Sequence, residues 1–277
     1  MKHPDRTETT VVIPLFNQLH YTKICLDSIA ANGAGGARIL LIDNASSDGT
    51  GEYLACCQGV DVISNQENLG CSGAWNQGMK ESSSEWTVFL NNDVILSPGW
   101  LEGLLAFARQ ERCDVVSPAI REGEYNYDII PYSKEFVATM AGVSRIGAAE
   151  GICFMVHRRV FDAIGGFDEN FRIGQFEDTD FFRRAVLAGF RLGTTGRSFL
   201  HHFGSVTQKA IKKQKGVKPY VAQNRAYFHK KWRLSWWRRL FERKLRNWRD
   251  LLWRTREKAR YGHSLREKWL DGSLRYF

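Results

Sequence analysis

Three clusters of acids and histidines have the residue types and spacing for chemistry. Asp93 directly follows the apolar run Trp86–Leu90, within Asn91-Asn92-Asp93. A carboxylate at that place is either an oxygen ligand for Mg²⁺ or Mn²⁺ or the cap of a helix starting near Pro98. Glu177, Asp178 and Asp180 then put three carboxylates into four residues at the start of a helical pattern. A helix dipole favours acids there, but three exceed that need, and a base that takes a proton from an alcohol is usually a carboxylate or a histidine. His201 and His202 complete the set. Adjacent on a short apolar strand, they point to opposite faces, so at most one can meet Asp93 in a mixed oxygen and nitrogen metal site.

The elements that must position these groups alternate between strand and helix. Strands are predicted at residues 9–14, 38–42, 60–64 and 86–90, and helices at 21–31, 51–57, 70–80 and from Glu177 onward. The alternation predicts an α/β fold, a mostly parallel, doubly wound sheet flanked by helices. Ligands of such sheets sit beyond the carboxyl ends of the strands. Those positions hold Pro14-Leu15-Phe16-Asn17, Asp43-Asn44-Ala45-Ser46, Asn65 to Gly70 and Asn91-Asn92-Asp93, a polar row able to contact a nucleotide. A Walker sequence is absent, and the glycine cluster Gly33-Ala34-Gly35-Gly36 precedes a strand instead of following one, so P-loop and dinucleotide-dehydrogenase chemistry lose their support. With no glycine-rich phosphate cradle, a diphosphate would need a divalent metal, Mn²⁺ or Mg²⁺.

The ordered set Val-Val-Ile-Pro-Leu-Phe-Asn, Ile-Asp-Asn-Ala-Ser-Ser-Asp-Gly-Thr, Asn-Leu-Gly-Cys-Ser-Gly-Ala-Trp-Asn-Gln-Gly, Phe-Leu-Asn-Asn-Asp-Val, Gly-Phe-Asp-Glu-Asn-Phe and Glu-Asp-Thr-Asp-Phe resembles the family 2 glycosyltransferases, from about Thr9 to Thr207. The resemblance implies a GT-A fold and inverting transfer from a nucleotide-sugar donor (a UDP-, dTDP- or GDP-sugar) to a saccharide, lipid-linked or other hydroxyl acceptor. It implies that the acid at Asp43 contacts the base, with Pro14, Phe16, Asn17, Ser46, Asp48, Asn68, Gly70, Asn91 and Asn92 as further nucleotide-side candidates. Asp93 matches the last position of the family's D-x-D motif, which chelates the metal, and Asn91 stands where its first aspartate would be. Asp178 matches the family's base, Glu177 would support it, and His202, or else His201, resembles the third metal contact. A non-catalytic nucleotide-sugar or nucleic-acid binding protein is the alternative.

Charge divides the chain. Residues 1–208 carry 17 Lys and Arg against 25 Asp and Glu, whereas residues 209–277 carry 22 against 5 together with six of the nine tryptophans. This implies a catalytic domain over 1–208, with a nucleotide-binding half at 1–95 and an acceptor-binding half at 96–208, followed by a basic, Trp-rich helical extension over 209–277. Trp232, Trp236 and Leu240 at helical spacing give that extension an apolar face. It packs on the body or a partner subunit of a homo-oligomer, or lies on an anionic membrane surface, or, third in order, binds nucleic acid. Six cysteines without C-x-x-C spacing, no apolar stretch of membrane-spanning length and a polar start lead to the expectation of a cytoplasmic protein, with peripheral attachment at the inner face of the membrane.

Overall fold

The computed structural model describes residues 7–204, 206 and 219–277. Its first half alternates as the pattern predicts: β1 (Thr9–Leu15), α1 (Leu19–Asn32), β2 (Arg38–Asp43), α2 (Thr50–Ala55), β3 (Asp61–Ser64), α3 (Gly70–Glu81) and β4 (Trp86–Leu90). Every residue of β1 but Pro14 and every residue of β4 is buried, as strands covered by helices on both faces must be.

The second half adds β5 (Val94–Leu96), α4 (Trp100–Glu111), β6 (Val115–Glu122), α5 (Ile129–Met140), β7 (Ser144–Ile146), β8 (Cys153–His157), α6 (Arg158–Ile164), α7 (Glu177–Leu187) and β9 (Leu192–His202). After the undescribed stretch come α8 (Pro219–Lys231), α9 (Trp236–Tyr261), β10 (Arg266–Leu270) and β11 (Ser273–Tyr276). All the strands join one mostly parallel sheet, ordered β11-β10-β6-β8-β4-β1-β2-β3, with β9 beside β6. The run β4-β1-β2-β3 is wholly parallel, and β8 runs antiparallel between β4 and β6.

Strand order reverses between β1 and β4, and the strands part there. Their pairing ends at Val12–Phe89, two residues before Pro14, whose missing N–H therefore costs the β1–β4 ladder nothing. The cleft between their carboxyl ends is the switch point at which such sheets bind ligands. Asp93 does not cap α4: it leads directly into β5, and α4 begins only at Trp100.

The C-terminal segment contains the expected helices but does not end as one. Its last strands extend the catalytic sheet, β10 pairing parallel with β6 from Arg266–Ile120 to Lys268–Glu122. Arg-Glu-Lys-Trp-Leu lacks the apolar alternation of a strand because its buried residue is a carboxylate. Glu267 accepts from the Tyr132 hydroxyl at 2.5 Å and lies 2.9 Å from His263 Nδ1. A second buried pair, Arg145 with Glu257 at 2.8 Å through two parallel N–H···O bonds, ties α9 to β7. Removing one partner of such a pair typically costs about 3–5 kcal/mol.

Candidate active site

A cavity of about 400 Å³ occupies the switch point. Pro14 and Phe16 line it from the end of β1, Asn91, Asn92 and Asp93 from the end of β4, and Asn68 and Gly70 from the start of α3. Glu177, Asp178 and His202 reach it from the other half of the chain. The remaining nucleotide-side candidates lie outside its wall and brace the loops behind it. Asp43 accepts from the Ser46 N–H at 3.0 Å, and Ser46 Oγ accepts from the Asn17 N–H at 2.8 Å. Asp48 accepts from the Leu19 N–H at 2.9 Å and the Thr50 hydroxyl at 2.6 Å, so one carboxylate caps α1 and anchors the start of α2.

The two histidines separate as alternation along β9 requires. His202 Nε2 lies 3.4 Å from Asp93 Oδ1, and its Nδ1 lies 3.7 Å from Glu122 Oε2. Burial alone would lower the imidazole's pKa, but the two carboxylates raise it to about 9, and His202, together with Lys268 Nζ at 2.6 Å, pulls Glu122 down to about 2. Burial would likewise raise Asp93, yet His202 and the Val206 N–H hold it below the usual carboxylate range. His201 turns the other way, into an aromatic nest with Tyr125, Tyr127 and Phe203, with Nδ1 3.2 Å from the Tyr127 hydroxyl. Burial pushes it down to about 3, and it does not reach the cavity that Asp93 lines.

Asp93 and His202 supply one oxygen and one nitrogen donor. Among the described residues no three His, Cys, Asp or Glu side chains converge to cage an ion unaided. Two donors nonetheless suit Mg²⁺ or Mn²⁺, which keep waters and take further ligands from substrate phosphates.

Opposite stands the carboxylate pair. Asp178 is half-buried and accepts from the Thr179 N–H at 2.6 Å and the Thr179 hydroxyl at 3.2 Å. Glu177 is buried, and its Oε2 has no hydrogen-bond partner. Burial, and then the charge of Asp178, raise the Glu177 carboxyl to about 8; burial also raises Asp178. A neutral Glu177 beside an ionised Asp178 of increased basicity is a suitable setting for proton abstraction. Asp180, the third acid, is fully buried against Arg184, Lys231 and Trp232 and takes no part.

The loop delivering this pair holds Ile173, Gln175 and Phe176 at φ of 64°, 78° and 78°. Such conformations cost of order 1–3 kcal/mol each in side-chain-bearing residues and need support from outside. Asn224 on α8 supplies it: its Nδ2 donates to the carbonyls of Arg172, Gly174 and Gln175, and its Oδ1 accepts from the Arg172 N–H. No sequence pattern marks this clamp, or Glu122, Glu150, Gly151 and Arg266, which also line the cavity. Glu122 and Arg266 come from neighbouring β6 and β10, two residues apart in register, a closeness no local pattern encodes.

Comparison with known proteins agrees with this geometry. The family profile described as glycosyl transferase family 2 matches residues 10–177. An uncharacterised protein of Mycobacterium tuberculosis is 28% identical over 206 residues, 71% of this chain and 74% of its own. The pre-mycofactocin glycosyltransferase of the same organism is 27% identical over 203 residues, 68% of this chain but 41% of its own. Among solved structures, GalNAc-T7 with UDP, GalNAc and Mn²⁺ superposes with a TM-score of 0.57 at 19% identity, covering 72% of this chain and 44% of that one. TarS of S. aureus, residues 1–349, gives 0.56 at 16%, covering 71% and 60%. This chain thus spans less than two thirds of either structural neighbour. With the profile covering more than half of the sequence and the acids gathered at the switch point of the matching fold, the chain belongs to glycosyl transferase family 2 and is a nucleotide-sugar glycosyltransferase.

Proposed function

We propose that the enzyme transfers a sugar from a nucleoside-diphosphate donor to a hydroxyl acceptor with inversion at the anomeric carbon. The observation that carries this reading is the meeting of Asp93 and Asp178, from separate halves of the chain, on one cavity. Pro14, Phe16, Asn68, Gly70, Asn91 and Asn92 form its nucleotide side, while Asn17, Asp43, Ser46 and Asp48 fix the loops beneath. Asp93 and His202 would hold Mn²⁺ or Mg²⁺, which when bound neutralises charge on the departing diphosphate.

Asp178 takes the proton of the acceptor hydroxyl as that oxygen bonds to the anomeric carbon. The electron pair of the breaking carbon–oxygen bond leaves with the nucleoside diphosphate. Attack from the face opposite the leaving group inverts the configuration. Glu177, held neutral by its burial, avoids a second negative charge beside the base.

Calorimetric titration with UDP, GDP, CDP and dTDP, with and without Mn²⁺, tests the donor site. UDP is the first choice because GalNAc-T7 and TarS have both been solved with it. One nucleotide should bind in a metal-dependent way and lose that dependence in Asp93→Ala. Asp178→Asn should keep nucleotide binding and lose transfer. Binding of none of the four would refute the reading.

The exposed face of α9 favours a membrane-bound setting. Trp236, Trp237, Phe241 and Trp248 are 67, 60, 63 and 61% exposed, on a helix crowded with Arg and Lys. No described helix is long and apolar enough to cross a membrane. An amphipathic helix of this composition suits the headgroup region of an anionic bilayer and hence a lipid-linked acceptor.

A further inference from the structure

The catalytic cavity does not end at Asp178. Glu150, Gly151, Asp178 and Arg266 also line a second, larger groove of about 1030 Å³ that runs between α7 and the middle of α9. Its far wall is rich in arginine: Arg183 on α7, and Arg246, Arg249 and Arg254 on α9.

The acids nearby offset only part of this wall. Glu242 is shared by Arg183 and Arg238, Glu150 lies 3.4 Å from Arg266, and Arg145 is occupied by Glu257. Arg249 has Asp250 at 3.5 Å, a long contact, and its buried Nε has no hydrogen-bond acceptor. Its guanidinium lies over the Trp253 ring, 4.6 Å from the centroid. Arg254 donates to a neutral carbonyl, that of Tyr276, at 3.1 Å. Arg246 has no carboxylate within 4.0 Å among the described residues. Guanidinium groups placed this way match the oxygens of a phosphate, and a buried donor without an acceptor is costly until one arrives.

We infer that this groove is the acceptor site and that it selects an acceptor carrying a phosphate or diphosphate beside the sugar whose hydroxyl reacts. The hydroxyl end lies at Asp178 and the anionic end at Arg246, Arg249 and Arg254. The inference rests on the transferase reading above and adds the acceptor's chemical class. The anion can belong to a soluble sugar phosphate or to a lipid-linked sugar diphosphate.

The test is binding of glucose 1-phosphate, neutral methyl glucoside and a farnesyl-diphosphate-linked glucose to the full chain in excess UDP and Mn²⁺. Glucose 1-phosphate should bind at least roughly tenfold tighter than methyl glucoside, and Arg246→Ala and Arg249→Ala should each remove about tenfold, equivalent to about 1.4 kcal/mol. Arg243→Ala, on the same helix but outside the groove, should change nothing. Equal binding of the charged and neutral sugars, or an equal loss in Arg243→Ala, would overturn the assignment. UDP affinity measured on the same variants reports the donor site separately, so a failed donor reading and a failed acceptor reading are told apart. Tighter binding of the farnesyl compound than of glucose 1-phosphate assigns the anion to a lipid carrier, and equal binding assigns it to a soluble sugar phosphate.

Discussion

Gly151 leaves room for Asp178 and for nothing else. A Cβ built on Gly151 would stand 2.7 Å from the Asp178 Cγ and 2.8 Å from its Cβ, closer than carbon atoms approach. The candidate base is thus set against bare backbone just before β8, on the wall it shares between the donor cavity and the arginine groove.

Gly151→Ala should therefore displace the Asp178 carboxylate while leaving the nucleotide side intact. We expect kcat to fall by about 10²-fold, the cost of a misplaced reacting group, with nucleotide affinity within a few-fold of the parent. Steady-state kinetics beside calorimetry checks this, and an unchanged kcat would remove Asp178 from the reaction.

The Glu177 carboxyl links stability to pH. Its folded value of about 8 stands above the ordinary 4.5, so between those values the folded chain keeps a proton that the unfolded chain releases. Stability from this group is fully present below pH 4.5 and is lost as pH rises toward 8, at up to about 1.4 kcal/mol per pH unit. Glu177→Gln should flatten the fall of Tm across pH 5–9 and be the more stable protein at pH 9. Parallel Tm curves for the two would show that Glu177 is ionised in the fold.

Asn224 restrains the strained loop before Asp178 without reaching the cavity itself. Asn224→Ala leaves three loop carbonyls and one N–H without this partner, and we expect kcat to fall tenfold or more with the donor KM nearly unchanged. Asn224→Asp, which keeps the acceptor and loses the donors, should not restore it. A loss of Tm with kcat intact would make Asn224 only a structural tie.

The exposed face of α9 should hold the enzyme on anionic vesicles. Replacing Trp236, Trp237, Phe241 and Trp248 with Ser should abolish cosedimentation with vesicles containing phosphatidylglycerol, and raised salt should weaken binding of the parent. Nucleotide binding should survive the replacements, because none of the four lines the donor cavity. Equal cosedimentation of parent and variant would place this face against protein instead.

Much of the donor half was legible in the sequence, because each of its strands and helices is written in a short window. Buried apolar runs make β1, β2 and β4, turn residues follow them, and the doubly wound order puts Pro14, Phe16 and Asn91 to Asp93 at one sheet edge. Even there, local pattern could not separate residues that line the cavity from those that brace it. Asp43, Asp48 and Ser46 are spent on backbone N–H groups of adjoining loops, a use visible only once those loops meet.

What the sequence determined by itself was the class of fold, the nucleotide edge and the acids Asp93, Glu177 and Asp178 as candidates, since these depend on neighbours in the chain. Tertiary structure decided which histidine faces Asp93, that Asn224 steadies the loop before Asp178, and that Arg266 and Glu150 line the same cavity as Asp93 and Asp178. It also joined the basic C-terminal segment to the catalytic sheet through β10. The physical reason is common to all of these. They rest on polar contacts between distant segments, where burial is made tolerable by a specific partner, and such pairings leave no periodic trace in the residues that make them.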